Sequence, residues 1–519
     1  MEQRSGRAGV SADRSTSVPE IPMASFYVEN FGCRATQADG AALERQFSEQ
    51  GLKRADGTLD AEIVVLNTCT VTHSADQDAR AAIRRIHRQN PDCKVIVTGC
   101  YAQRAPEEIA ALPGVSQVIG NSHKHRLAEI ALQQNAEPQR SLRDTGESFE
   151  AFLPISALTS DRRPTTDDLG RIFVSDIFAH TELLAAPVFD AANERTRPNL
   201  KVQDGCDNRC SFCVIPYVRG QSRSLPLPRI IDEVNALVAA GYRELVVSGI
   251  NLGRWGRDLH PEAGHRNRFE DLIEAILEET ELEKLRISSV EPMDWSDRLI
   301  NLVAQSPRIA KHAHVPMQSG SDRVLRRMHR KYRPWHYREK IEKIRVAMPT
   351  AAIGADVMVG FPGEIDGEFE ETRRMIEELP FTYLHVFTFS GRPGTPAASM
   401  RNQVPVPVAR ERNRVLRELA AEKKLAFMQS FIGKEVGAIT LNVFDGTHTE
   451  CLTDNFLKLK LPGQHEPNQW IRAKVEAVSS GELAAHFSGE LKPINSASSA
   501  GLSTTTSGGA SASVCGANP

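Results

Sequence analysis

The chain has few cysteines, little net charge and no apolar stretch long enough to cross a bilayer. Nine cysteines in 519 residues are too sparse for the disulfide framework of a small secreted domain, so a reducing cytoplasm is expected. The first twenty-two residues are polar, with arginines and no apolar centre, which is not the pattern of a secretory signal. A net charge of −3 gives no global attraction to nucleic acid, so any such contact has to come from local basic patches. Aromatic residues make up only 6 %, yet 40 % hydrophobic and 25 % charged residues are ordinary for folded protein. One core does not grow to this length, and two to four domains are expected.

Histidine is absent between Lys201 and Arg229, and that absence matters for the stretch Asp204–Tyr217. Cys206, Cys210 and Cys213 stand there at C-x3-C-x2-C spacing. A tight loop can turn three such thiols toward one metal centre, and thiolates favour zinc or iron–sulfur. No fourth cysteine is near. A site short of one ligand suits a cubic iron–sulfur cluster with one iron open to an exogenous molecule. Spacing alone also allows a zinc loop completed by a distant residue, or three buried thiols.

Upstream, Ser25–Phe31, Ile63–Asn67 and Lys94–Thr98 read as strands, separated by helices over about 37–51 and 75–89. Alternating strands and helices predict a doubly wound parallel sheet for residues 23–139, with its ligand crevice at the strands' carboxyl ends. Cys33, Cys69 and Cys100 each terminate one of those strands. They form a second three-thiolate site on one rim, or else three structural thiols. Residues 140–197 form a linker in which Arg171–Ser175 has strand character.

From residue 198 to 428 six further strand–helix units are expected, at Lys201–Gln203, Glu244–Ser248, Lys284–Ile287, His312–Pro316, Ala352–Val359 and Tyr383–Phe387. Six units fit an open parallel barrel. A charged helix, Val406–Gln429, leads into residues 429–495, whose short alternating runs predict a small all-β barrel. The polar residues 1–22 and the Ser/Ala/Gly/Thr-rich residues 496–519 read as disordered tails. Cys93, Cys451 and Cys515 are given no role.

Several motifs carry a family resemblance. Asn208-Arg209 and Phe212, among the three central cysteines, resemble the cluster loop of radical S-adenosylmethionine enzymes. Phe31-Gly-Cys-Arg-Ala-Thr-Gln37, Asn67-Thr-Cys-Thr-Val71 and Thr98-Gly-Cys-Tyr-Ala-Gln103 resemble the three cysteine motifs of the methylthiotransferase family. Ile432–Glu435 and Asp454–Lys460 are similar to the TRAM module, an RNA-binding barrel.

The resemblance implies two [4Fe-4S] clusters, one on Cys206, Cys210 and Cys213 and an auxiliary one on Cys33, Cys69 and Cys100. It also implies S-adenosylmethionine as cofactor, cleaved at the first cluster to a radical that removes an unactivated hydrogen. Sulfur is then delivered through the auxiliary cluster and carries a methyl group from a second S-adenosylmethionine. Gly249, Ser289, Glu291, Gln318 and Gly360 lie at strand ends resembling the family's cofactor-binding strands, although each taken singly suits an ordinary turn. The basic run Arg326, Arg327, Arg330, Lys331 and Arg333 is either a solvated face or a set of RNA-phosphate contacts. Phe456, Lys458, Lys460, Arg472 and Lys474 are the RNA candidates of the C-terminal barrel, which could otherwise serve dimerisation or stability.

Among family substrates the resemblance is closest to the branch acting on threonylcarbamoyladenosine beside the tRNA anticodon. Val247–Gly256, Ser288–Pro292, Arg327–Tyr332 and Arg392–Pro396 carry that likeness. Isopentenyladenosine of tRNA and an aspartate of a ribosomal protein are the alternatives within the family. A non-catalytic iron–sulfur or zinc RNA-binding protein is the alternative outside it. The implied partners are tRNA, an electron donor such as flavodoxin or ferredoxin, and a sulfur source, with no membrane.

Overall fold

The computed structural model describes residues 24–32, 34–133, 171–180, 183, 197–259, 267–479 and 481–491. Both expected tails, Cys33, Cys515 and most of the 140–197 linker lie outside these residues.

The first sheet is wholly parallel. It comprises β1 (Ser25–Asn30), β2 (Lys53–Arg54), β3 (Ile63–Thr68), β4 (Lys94–Gly99), β5 (Val115–Gly120) and β6 (Ile172–Phe173), in the order β2-β1-β3-β4-β5-β6. Every residue of β3 is buried, because helices cover both faces. Ile63 and Val65 pack with Phe26, Leu43 and Phe47 on one side, and Val64 and Leu66 pack with Ile83, Ile86 and Tyr101 on the other. That double burial explains why the strand reads as a continuous apolar run. The strand order reverses between β1 and β3, which places the ligand crevice of such a sheet at their carboxyl ends. β2 and β5 had no place among the expected strands, and the Arg171–Ser175 strand shrinks to the two residues of β6. Cys93 is an apolar core residue of this sheet.

The central unit contains β7 (Asn199–Asp204), β8 (Arg223–Ser224), β9 (Glu244–Gly249), β10 (Lys284–Ile287), β11 (His312–His314), β12 (Ala352–Val359) and β13 (Tyr383–Thr388). All except β8 run parallel. Bridges Leu285–Ile309 and Ser289–His314 join β10 to β11. Six parallel strands in chain order thus make an open barrel, as expected. Along β12, Ile353, Ala355, Val357 and Val359 join the helix-covered core, which turns Gly354, Asp356 and Met358 toward the concave face.

The C-terminal unit is a closed barrel of TRAM type. Its strands β14 (Glu435–Phe444), β15 (His448–Thr453), β16 (Lys458–Pro462), β17 (Trp470–Ser479) and β18 (Glu482–Glu490) follow the order β14-β15-β16-β18-β17. Cys451 lies in its apolar core. The β15–β16 turn docks under the central unit, where Arg286 bonds Glu244 at 2.7 Å and reaches the carbonyls of Asp454 (3.2 Å) and Thr453 (3.3 Å). Phe456 sits beneath the Arg286 guanidinium and against His312 and Tyr383. It is therefore a junction residue; the expectation of a base-stacking surface overlooked these partners, which lie far off in the sequence of another domain.

Gly354 supports the Tyr383 ring, and a Cβ there would overlap it. Gly354→Ala should lower stability by about 1–3 kcal/mol through overpacking, read as a reduced thermal midpoint.

Candidate functional site

The loop after β7 opens with Gly205, whose φ of +72° and close approach to the Gln221 backbone admit no side chain. This turn sends Cys206, Cys210 and Cys213 over the carboxyl ends of the central strands. The loop is clamped through Ser211, whose N–H and Oγ donate to the carbonyls of Met328 (3.1 Å) and Arg327 (2.7 Å), while its own carbonyl accepts from Ala397 N–H at 2.8 Å. Two side chains donate to the sulfurs: Asn251 Nδ2 to Cys206 at 3.5 Å and Arg330 Nη1 to Cys210 at 3.3 Å.

Burial, reinforced by the neighbouring Cys210 and Cys206 thiolates, pushes the Cys213 thiol up to about 12. Burial likewise raises Cys206. Cys206 and Cys213, held up by burial beside a single guanidinium, need further positive charge nearby if they are to bind as thiolates. A metal centre binding thiolates supplies it, so the donor set fits a cluster.

The second set lies across a domain junction from the first. Thr68 pairs with Gly99 in the sheet, so Cys69 and Cys100 follow adjacent strand ends. Gly32 abuts Cys69, and a Cβ at residue 32 would lie 2.6 Å from the Cys69 Cβ. Cys69 and Cys100 are 6 % and 2 % exposed. Cys100 packs against Val214, Ile215 and Val218, in the segment just after the central cysteine loop. Asn121 Nδ2 bridges the two units, 3.7 Å from Cys100 Sγ and 2.7 Å from Val218 O. Two cysteine rims therefore face one junction, with the position of Cys33 outside the described residues.

Two buried charge clusters fasten that junction. In one, Asp39 of helix Arg34–Glu49 meets Lys124 (3.1 Å), Lys201 and Arg219 (3.0 Å), while Asp204 meets Lys201 and Arg219 at 3.0 Å. Burial alone would raise Asp39, but Lys124, Lys201 and Arg219 overcome it and hold the carboxyl at about 2. In the other, Asp76 bonds Arg104 at 2.9 Å and Arg392, with Thr70 shared among all three. None of these residues was among the candidate site residues, although Thr70, Asp204 and Arg392 lie in motifs that carried the resemblance. The legible signal was Lys201, a cation between Leu200 and Val202 in a strand pattern.

The cofactor candidates fall into two groups. Gly249, Ser289, Glu291 and Gln318 stand at the carboxyl ends of β9 to β11. Ser289 Oγ lies 2.7 Å from His314 Nδ1, Glu291 pairs with Arg330, and Gln318 takes a φ of 64°. Gly360 is turned outward: its N–H bonds Glu364 at 2.7 Å and its open side faces Ala409.

The basic run also divides. Arg330 is only 7 % exposed and lies between Cys210 and Glu291 over the Tyr332 ring. It departs from the expected RNA face because the cysteine loop folds back onto it. Arg327 pairs with Glu368, Arg333 with Asp322 at 3.3 Å, and the exposed Arg326 also with Asp322. Lys331 is exposed. On the C-terminal barrel Lys458 pairs with Glu450 (3.3 Å) and Lys460 with Asp445 (2.9 Å), while Arg472 and Lys474 are exposed on β17.

An open parallel barrel with a three-cysteine loop at its first strand, joined to a second cysteine-bearing sheet, defines a radical S-adenosylmethionine protein. Residues 25–120 match the family described as "Uncharacterized protein family UPF0004", and residues 200–376 match the "Radical SAM superfamily". The chain is 35 % identical, over 86 % of its length and 92 % of the relative, to threonylcarbamoyladenosine tRNA methylthiotransferase MtaB of Bacillus subtilis. The Aquifex aeolicus protein of the same name is 34 % identical over 86 % of this chain and 99 % of its own. A tRNA-2-methylthio-N(6)-dimethylallyladenosine synthase of Novosphingobium aromaticivorans is 34 % identical over 79 % and 85 %. This chain belongs to the radical S-adenosylmethionine methylthiotransferase family, and its cofactors are two [4Fe-4S] clusters and S-adenosylmethionine.

Asp39→Asn would leave buried cations of two domains short of a counter-charge and should cost about 3–5 kcal/mol. The Asp39 carboxyl is held low, so its stabilisation is present above pH of about 4 and is lost as pH falls through about 2. The thermal midpoint of the parent should therefore fall more steeply than that of the variant between about pH 4 and about pH 2.

Proposed function

We propose that this enzyme replaces the C2 hydrogen of N6-threonylcarbamoyladenosine, at position 37 beside the tRNA anticodon, with a methylthio group in the cytoplasm. The observation that carries this reading is the seating of two cysteine rims on one buried junction, in a chain whose relatives include proteins named for that reaction. Cys206, Cys210 and Cys213 would hold one cluster, and Cys33, Cys69 and Cys100 the other. When bound, the clusters and S-adenosylmethionine supply the one-electron chemistry and the sulfur for a C–H bond that side-chain acids and bases cannot break.

The protein's own contribution is placement. The Asp39 and Asp76 charge clusters set the two rims at a fixed separation. Arg330 donates to the Cys210 sulfur and, through its pair with Glu291, steadies that carboxylate at the rim. Gly249, Ser289, Glu291 and Gln318 are the groups offered to the cofactor. Val214, Ile215 and Val218 cover Cys100 and keep water from it. Arg326, Lys331, Arg472 and Lys474 are exposed cations suited to tRNA phosphates. An electron donor such as flavodoxin or ferredoxin and a sulfur source complete the system. Among the described residues, no helix is long and apolar enough to cross a membrane.

The test is anaerobic reconstitution with iron and sulfide, followed by incubation with tRNA and mass spectrometry of its nucleosides. Cys213→Ala should form no 5′-deoxyadenosine. Cys69→Ala should retain measurable cofactor cleavage, on the order of a tenth or more of the parent rate, yet give no methylthio product. Parental product yield from either variant would reject that assignment, and product on isopentenyladenosine alone would move the substrate to the other branch.

A further inference from the structure

The concave wall of the open barrel carries a set of polar rings that the two rims do not use. Parallel register places His314 opposite Gly354 and Tyr383, Asp356 opposite His385, and Met358 opposite Phe387. Lower down, His312 stacks on Tyr383 with the rings 6° from parallel, its Nε2 lying 2.6 Å from Tyr383 Oη. Phe456 closes the floor, 4.9 Å from His312.

One layer nearer the rim, ligand atoms of His314, Asp356 and His385 lie within 4.8 Å of one another. Ser289 engages His314 Nδ1 and so directs Nε2 toward Asp356. That Nε2 is buried, 3.4 Å from Asp356 Oδ1, and makes no hydrogen bond. Asp356 is half-buried and His385 is exposed. A buried polar atom without a partner is costly and marks a place where a ligand can supply one. Met358 and Phe387, the next layer up, give an apolar surface suited to a purine ring.

We propose that His314, Asp356 and His385 receive the polar N6 side chain of the substrate adenosine, and thereby select a substituent bearing carboxylate and hydroxyl groups over a hydrocarbon one. The inference rests on the proposed reading of the substrate as an N6-modified adenosine at this junction. A threonylcarbamoyl group presents a carboxylate, a hydroxyl and amide N–H groups. Imidazole N–H groups meet the first of these, and the Asp356 carboxylate accepts from the others. An isopentenyl group offers no polar atom, so it would desolvate His314 Nε2 and the Asp356 carboxylate and leave them only their own long 3.4 Å contact. Sites built to bond a polar group reject analogues lacking it by as much as roughly 10⁴-fold.

The experiment titrates reconstituted holoenzyme with anticodon stem–loops carrying threonylcarbamoyladenosine, isopentenyladenosine or plain adenosine at the target position. The preference for threonylcarbamoyladenosine over adenosine is read as a ratio within each variant, so a general loss of folded protein cancels. His385→Phe and Asp356→Asn should each reduce that ratio tenfold or more, while His385→Gln, which keeps an N–H donor, should recover part of it. An unchanged ratio in both of the first two variants overturns the inference. So does stoichiometric zinc in the parent holoenzyme that both variants lose, because the same atoms would then be metal ligands. Parent enzyme that methylthiolates only the isopentenyl stem–loop defeats the proposed function itself; parent enzyme that uses threonylcarbamoyladenosine while the variants keep its preference defeats this pocket alone.

Discussion

Asp39 is the residue on which the relation between the two cysteine rims depends. Its carboxylate belongs to the first domain, yet Lys201 and Arg219, two of its three partners, belong to the central one. A carboxylate buried this deeply is tolerable only when its counter-ions are in place. Undocked, Asp39 would keep Lys124 alone, and Lys201 and Arg219 would keep only Asp204. Such a network adds little net stability, because desolvation cancels most of the attraction. It makes docking specific instead, since a sliding interface would strand buried charges at once. Asp76 and Arg392 repeat the arrangement at a second point, and two fixed points remove most of the freedom of one domain to turn on the other.

The same economy appears at the central cysteine loop. Burial raises the Cys206 and Cys213 thiols, so each gives up its proton readily only to a positive centre. Arg330 meets Cys210 and Glu291 together, linking the sulfur cage to a carboxylate on the cofactor rim. A guanidinium suits this position because its planar fork can hold two anions at fixed angles and does not lose its proton on burial.

Features set by local pattern were legible in the sequence. β3 and β4 appear as apolar runs because helices cover both faces of the sheet, and Cys69 and Cys100 appear at strand ends because each run stops at a turn. β18 did not appear: Glu482–Glu490 contains four small residues and a histidine, and its strand character comes from pairing with β17. Arg330 and Phe456 were visible as a cation and an aromatic, but their roles are set by partners distant in the chain. A basic run looks the same whether its members face water or fold under a loop. Only the tertiary contacts separate Arg330 from Lys331.

The C-terminal barrel shows why domain-by-domain reading stops short. As a separate module it offers exposed Arg472 and Lys474 to a nucleic acid. Docked, its β15–β16 turn also packs beneath the concave wall of the central unit, held by Arg286, which pairs with Glu244 inside the core and reaches the barrel's carbonyls at Thr453 and Asp454. Phe456 continues that packing into the stack of His312 and Tyr383, directly below His314 and His385. This wall is therefore built by two domains, and a shift of the barrel would be felt first at His312 and Tyr383. On the proposed reading, RNA on the barrel and a base against that wall would be positioned by one shared contact. This is the arrangement expected where a long nucleic acid must present a single atom to a chemistry it reaches only once docked.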